Sequence, residues 1–424
     1  MPDRSIAPVI VDAVDFNPKL QPCEKWTLKN GVEVYSVNAG AEELMSLELV
    51  FYAGNWFEQK NLVAATTNFL LKNGTRQRNA FQINEHFEYY GAHLSRACYN
   101  ETSTLSLHTL TKHVRELLPV VRELVTDAQM PEEELSIYQQ NMKQRLKVNL
   151  RKADFVAGRL IDVYLFGEEH PYGRYTKDED FDTLNREELL QFYRQYYQQG
   201  RFIIFVAGKL PSDLEALLNE YFGDLPTQPV TLPTHALQPA TEKKYRISND
   251  PDGVQGSIRI AREFPNRHHP DFIRVQTLNS LFGGFFGSRL MSNIREDKGY
   301  TYGIHSYLLN HIHDSAWMIS TEAGKEVCEA TIAEVYKEMK ELREVAVDDE
   351  ELSLVKNFMI GSILGDLDGP FQIIGRWKNL ILNGLDDQYF YKSIETIKSI
   401  TPQELQELAN RYLVEKDFYE LVVV

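Results

Sequence analysis

The chain repeats itself. MPEEEL ending at Leu135, LNREEL ending at Leu189 and the apolar run FIIFVAG beginning at Phe202 form one series. VDDEEL ending at Leu352, ITPQEL ending at Leu405 and FYELVVV beginning at Phe418 form a second series in the same order. The first interval is 54 residues in one half and 53 in the other, and the second is 13 in both. Each six-residue box sets a turn or capping residue ahead of acidic residues, a helix-start signal. One such box is common; three landmarks in register require the chain to build one supersecondary unit twice. Between the copies, residues 225–241 carry Pro226, Pro229, Pro233 and Pro239, a density that prevents helix and central strand alike. The expected organisation is a first domain over 1–225, a Pro-rich linker over 226–241 and a second domain over 242–424. The full length of 424 residues suits two domains of about 200 each.

Local patterns predict α+β in each copy. WTLKNGVEVYSV (26–37) reads as a hairpin turning at Asn30-Gly31. SLELVFYAG (46–54) and LSLHTL (105–110) read as strands, with helices over 62–71 and 84–90 between them. Long helical patterns follow over 112–127 and 132–151. The second half repeats the plan: a strand near Ser257, a helix from Phe272, strands around His305 and Trp317, and long helices from Val327 and Asp349. Helices grouped between strands, rather than alternating strictly with them, predict a largely antiparallel sheet with helices on one face.

Composition removes several function classes. An apolar fraction of 43% with 25% charged residues is that of a globular protein. The net charge of −16, with no basic run, repels phosphate backbones and makes nucleic acid a poor partner. Cys23, Cys98 and Cys328 are odd in number and far apart, neither a disulfide framework nor a zinc ribbon; buried free thiols are the plain reading. Asp12 and Asp15 break the apolar stretch near the start, so no signal-peptide core is expected there. No window approaches about 18 apolar residues, so no transmembrane helix is expected either. The expectation is a cytoplasmic protein, or a periplasmic one if a leader has been removed.

Two α+β copies of about 200 residues joined by a Pro-rich linker resemble the insulinase/pitrilysin (inverzincin) zinc peptidases, in particular their mitochondrial-processing-peptidase-like branch. The resemblance spans nearly the whole chain. It implies a clamshell whose halves face each other over an enclosed cavity. In that family the first copy carries His-x-x-Glu-His on a helix, followed shortly by Gly-Thr. The matching segment is AATTNFLLKNGT, with Gly74-Thr75 as the anchor.

Counting back from the anchor sets the motif positions at Ala65, Asn68 and Phe69. The motif works through helical geometry: residues i and i+4 share a face and can aim two nitrogens at one Zn²⁺, with i+3 beside them as general base. Ala65 and Phe69 carry no donor atom, and the Asn68 amide is not basic near neutral pH. The distal glutamate of the family falls near Gln144 and Arg145, neither a carboxylate. The first half is therefore expected to hold no metal. Elsewhere, His311-x-His313 and the adjacent His268-His269 lack third and fourth ligands nearby and read as solvated histidines. Glu168, Glu169 and His170 in GEEHPYG look ligand-like, but Pro171 fits the structural His-Pro-x-Gly turn of the family.

The second half keeps another family feature. Residues 281–307, LFGGFFGSRLMSNIREDKGYTYGIHSY, resemble LGxxxxSRLxxxLRExxGLxY, with Tyr300 where the family has Leu. The resemblance assigns substrate-backbone binding and oxyanion stabilisation to an Arg and a Tyr seven positions apart, here Arg295 and Tyr302. The bland alternative is an Arg295 ion pair and a Tyr302 packed on a sheet. Gly283, Gly284 and Gly287 match neither a dinucleotide nor a P-loop pattern and read as a turn that lets backbone or peptide approach.

These expectations imply a non-metal subunit of a heterodimeric zinc peptidase. Substrate binding would involve Arg295, Tyr302, Gly283 and Gly284, and the zinc would lie in a homologous partner subunit. The competing reading is a non-enzymatic homodimeric clamshell that binds peptides or scaffolds an assembly. A third, weaker reading is a zinc peptidase with displaced ligands.

Overall fold

FIIFVAG and most of FYELVVV are apolar without alternation, the mark of strands covered on both faces. Both are central strands in the computed structural model, which describes residues 11–424. The signal-peptide reading of the N-terminus falls partly on residues 1–10, outside that range. The first half contains β1 (Glu24–Thr27), β2 (Glu33–Asn38), β3 (Leu44–Phe51), β4 (His93–Cys98), β5 (Ser103–Leu110) and β6 (Phe202–Gly208). Its helices are α1 (Val63–Leu70), α2 (Ala80–Tyr89), α3 (Val114–Asp127), α4 (Glu132–Asn149), α5 (Ala153–Phe166), α6 (Asp178–Thr183), α7 (Arg186–Tyr193) and α8 (Leu214–Phe222). The second half contains β7 (Lys244–Ile247), β8 (Gln255–Phe264), β9 (Thr301–Leu308), β10 (Ser315–Gly324) and β11 (Tyr419–Val423). With them come α9 (Phe272–Asn279), α10 (Cys328–Glu344), α11 (Asp349–Gly365), α12 (Pro370–Leu382), α13 (Asp387–Ser399) and α14 (Pro402–Tyr412).

The internal repeat is visible in the sheets. Their strand orders are β1-β2-β6-β3-β5-β4 and β7-β11-β8-β10-β9. Removing β1 superposes one order on the other, and the single parallel pair falls at the same place, β2 with β6 and β7 with β11. The remaining pairs are antiparallel. Three of the four helix-start boxes act as the sequence implies. Asn185 accepts from the Glu188 amide, Asp348 from the Glu351 amide, and Thr401 with Glu404 forms a full capping box. The fourth starts α4 after Pro131 with no side-chain cap. The 26–37 hairpin turns where Gly31 adopts φ +83°, a conformation that suits glycine.

Each half is a mostly antiparallel sheet with its own helices on one face, and the halves form a clamshell. Val34, Leu47, Leu49, Leu107, Ile204 and Val206 face the first half's helices. The opposite face of that sheet, carrying Tyr35, Val37, Val50, Ile203 and Phe205, packs on Ile373, Ile374 and Leu380 of α12 and Phe390 and Ile394 of α13. The exchange is reciprocal: α5 lies against β8 and β11. Ala261, Met318, Tyr419, Leu421 and Val423 thereby join the core of the first half. Both central strands are thus covered twice, once by helices of their own half and once by helices of the other.

The Pro-rich segment is bound along the first half. The Gln238 and Ala240 amides donate to Phe166 O and Tyr164 O at 3.0 and 2.9 Å, and Trp56 Nε1 donates to Pro233 O at 3.0 Å. Read from sequence as a linker, it is held as a strap, because its amides find acceptors at the end of α5.

Candidate functional site

The motif positions lie on α1, as counted from Gly74-Thr75. Glu58, buried, caps this helix by accepting from the Ala64 amide at 2.8 Å and pairs with Arg174 at 2.8 Å. Burial outweighs that pairing and pushes the Glu58 carboxyl up to about 7. The side chains at the three positions are committed to packing. Asn68 is buried and donates to Thr104 O at 3.3 Å and to the Tyr197 hydroxyl at 3.2 Å. Phe69 meets the Tyr138 ring of α4 at 4.7 Å between centroids, and the Arg96 guanidinium lies 4.4 Å from the Phe69 ring centre. Ala65 contributes a methyl group.

Gln144 and Arg145 are exposed on α4; the residues of that helix turned toward the core are Leu135, Tyr138, Met142 and Leu146. An aromatic ring, a methyl and an engaged amide do not fit a zinc ion, which needs nitrogen, sulfur or carboxylate donors. Among the described residues no group of three His, Cys, Asp or Glu side chains is disposed to hold a metal.

Arg295 and Tyr302 come together in the second half. Arg295 stands in a π-helical turn, Met291–Asp297, a widened turn of the kind found at functional sites. Tyr302 follows on β9, an edge strand. Arg295 Nε donates to Tyr302 O at 3.0 Å, and its guanidinium carbon lies 4.7 Å from the Phe286 ring centre. Arg295 also pairs with the neighbouring Glu296 at 3.3 Å. The phenol is 93% exposed, so Tyr302 fills no sheet face. Arg295, Tyr302 and exposed Phe286 form one cationic and aromatic patch open to solvent.

Gly283 is buried, and a Cβ there would stand 2.7 Å from Ser306 Cβ and 2.8 Å from Leu290 Cδ1. It lets the turn approach β9 of its own chain rather than a peptide. Gly284 is exposed and lines a cavity behind that turn.

Of the histidines read as solvated, His268 is exposed, but His311 and His313 are not. His311 and His313 lie outside any strand, in the connection from β9 to β10, and are half-buried. His311 stacks on Tyr172 at 4.1 Å and His313 on Trp56 at 4.1 Å. His170, buried, and His235 of the Pro-rich strap pack edge-on to the same Trp56. Tyr172 donates to Glu101 and accepts from the His313 amide at 3.2 Å. Burial, then the neighbouring His170, lowers the pKa of His311 to about 4. His268 Nε2 bonds Asn383 O, 115 positions away, at 2.8 Å, and His269 Nδ1 accepts from the Asp271 amide at 3.1 Å. The three cysteines are unpaired; Cys328 is buried and the other two half-buried. Phe286 and His235 carried no sequence signal, since only the folded chain sets them beside Arg295 and Trp56.

Comparison with known proteins agrees with this geometry. A family model described as the peptidase M16 inactive domain matches residues 183–359. The chain is 21% identical over 365 residues to an uncharacterized zinc protease of Bacillus subtilis, YmxG, covering 85% of this chain and 88% of that one. It is 26% identical over 281 residues to a probable mitochondrial-processing peptidase subunit beta of Schizosaccharomyces pombe, covering 63% and 60%. A crystal structure of a peptidase M16 inactive domain from Pseudomonas fluorescens shares the fold with a TM-score of 0.85 at 24% identity, covering 95% and 98%. Residues 183–359 thus match the peptidase M16 inactive domain, and over most of its length the chain is similar to zinc proteases and to a mitochondrial-processing peptidase subunit beta, with the fold of an M16 protein.

Proposed function

We propose that this chain is the non-metal subunit of a heterodimeric zinc peptidase. It would present Arg295 and Tyr302 to a substrate held at the zinc site of a homologous partner subunit. The observation that carries the reading is the exposure of this pair: a phenol 93% open to solvent beside a guanidinium anchored on Tyr302's own carbonyl. Attack on a peptide carbonyl develops negative charge on oxygen, which a fixed guanidinium and a phenol can meet. The packing of Asn68 and Phe69 on α1 leaves this chain dependent on a second one for the metal.

The test is peptide hydrolysis by the complex reconstituted with a zinc-motif-bearing homologous subunit. Arg295→Ala is expected to lower the rate on the order of 100-fold, the cost of one preorganised donor. An unchanged rate overturns the role. The competing homodimeric scaffold is favoured instead if pull-downs recover only self-associated chain and no zinc-bearing homologue.

A further inference from the structure

Behind the glycine turn, a cavity of about 640 Å³ opens between β9, α9 and the helices α11 to α13. Its size is in the range of small-ligand sites. Two arginines line it in a chain whose net charge is −16. They are not equivalent. Arg376 is neutralised by Asp366 at 2.6 Å. Among the described residues, Arg267 Nη1 donates to the neutral amide oxygen of Asn379, and its buried Nε finds no acceptor. Among the described residues, no carboxylate pairs with the Arg267 guanidinium. Burial, with Arg376 adding to it, makes the Arg267 charge harder to hold. A guanidinium on a cavity wall with no carboxylate partner of its own has the capacity to take an acidic ligand.

We infer that this cavity binds a carboxylate through the Arg267 guanidinium. The charge count favours a monoanion: the Arg376–Asp366 pair is neutral, so Arg267 supplies one uncompensated positive charge. The planar guanidinium matches the two oxygens of a carboxylate. Ser280 and Gln372 add polar groups to the lining, and Phe358 and Met359 offer apolar wall to the body of such a ligand. The site is separate from the Arg295–Tyr302 patch and does not depend on the reading given for that patch.

The test is isothermal titration of the full chain with an N-acetylated tetra-alanine bearing a free C-terminal carboxylate, its C-terminally amidated twin, succinate and inorganic phosphate. A free carboxylate is expected to bind at least tenfold more tightly than the amide. Selective binding of the tetrapeptide identifies a peptide C-terminus as the source. Equal or better binding of succinate identifies a small free acid. Asn379→Asp places a carboxylate of the chain's own on Arg267, and is expected to weaken ligand binding at least tenfold without lowering the melting temperature. Arg267→Gln should do the same where it folds. No binding of either carboxylate overturns the inference, as do equal affinities for acid and amide, tighter binding of phosphate, or indifference to Asn379→Asp.

Discussion

The rings of Phe69 and Tyr138 meet at 4.7 Å between centroids, joining α1 to α4 at the helix that carries the zinc motif in the family. Restoring the motif by Ala65→His, Asn68→Glu and Phe69→His removes that contact and the Arg96 stacking beside it. It supplies no carboxylate from α4, where Tyr138 faces the core. The triple variant is expected to lose about 2 kcal/mol or more of stability through the lost packing. It should retain well under one zinc per chain after metal-free dialysis. Denaturant unfolding and elemental analysis check both; one tightly held zinc per chain would refute the account of the lost site.

Arg295 and Tyr302 are exposed enough that their substitution should leave the fold alone. Arg295→Ala and Tyr302→Phe are each expected to change stability by no more than about 0.5 kcal/mol. In the reconstituted complex, Tyr302→Phe should lower kcat on the order of 100-fold with little change in KM, the pattern of a donor used only in the transition state. A fall in melting temperature of the isolated chain comparable to that of a core mutation would make the pair structural.

The exchange of α5 and α12 between sheets predicts one cooperative unfolding transition. Residues 1–225 alone would expose Tyr35, Val37, Ile203 and Phe205, which α12 and α13 cover in the full chain. Residues 242–424 alone would expose Met318, Tyr419 and Leu421. Neither half is expected to give a dispersed proton NMR spectrum by itself. Two separated calorimetric transitions in the full chain, or a well-folded isolated half, would contradict this.

The histidine cluster around Trp56 and Tyr172 predicts acid sensitivity. Folding lowers the pKa of His311 to about 4, below the 6.5 of a free imidazole, so the unfolded chain takes up protons first as pH falls. The contribution of this group is full above pH 6.5 and is lost as the pH drops from there toward 4. His170 shifts in the same direction, mainly through burial. Glu101 accepts from the Tyr172 hydroxyl and the Ile312 amide, Asp314 opposes the shift at His170, and Glu101 and Asp314 oppose it at His313. His311→Phe, which keeps a ring against Tyr172, is expected to flatten the fall in melting temperature between pH 7 and 5. An identical slope in the variant would rule His311 out.

Much of the fold was legible in the sequence. The boxes ending at Leu135, Leu189, Leu352 and Leu405 announced the starts of α4, α7, α11 and α14, because helix initiation depends on residues within one turn. The seven-residue spacing set Arg295 and Tyr302 together for the same reason of proximity: one short turn joins the π-helical segment to β9. The empty motif was equally plain, since Ala65 and Phe69 lack donor atoms in any fold. Other features rest on contacts between residues hundreds of positions apart, which no local pattern encodes. Arg267 meets Asn379 across 112 positions, and Asn100 meets His311 across 211. Likewise, the apolar stripes of α5 and α12 required burial without naming the sheet that buries them, because the hydrophobic effect is non-directional. Sequence alone determined the duplicated α+β unit and the chemistry missing from α1. Tertiary packing decided that each half lends a helix to the other's sheet, that the proline-rich strap is fixed, and that Arg267 is left facing a cavity with its charge unpaired.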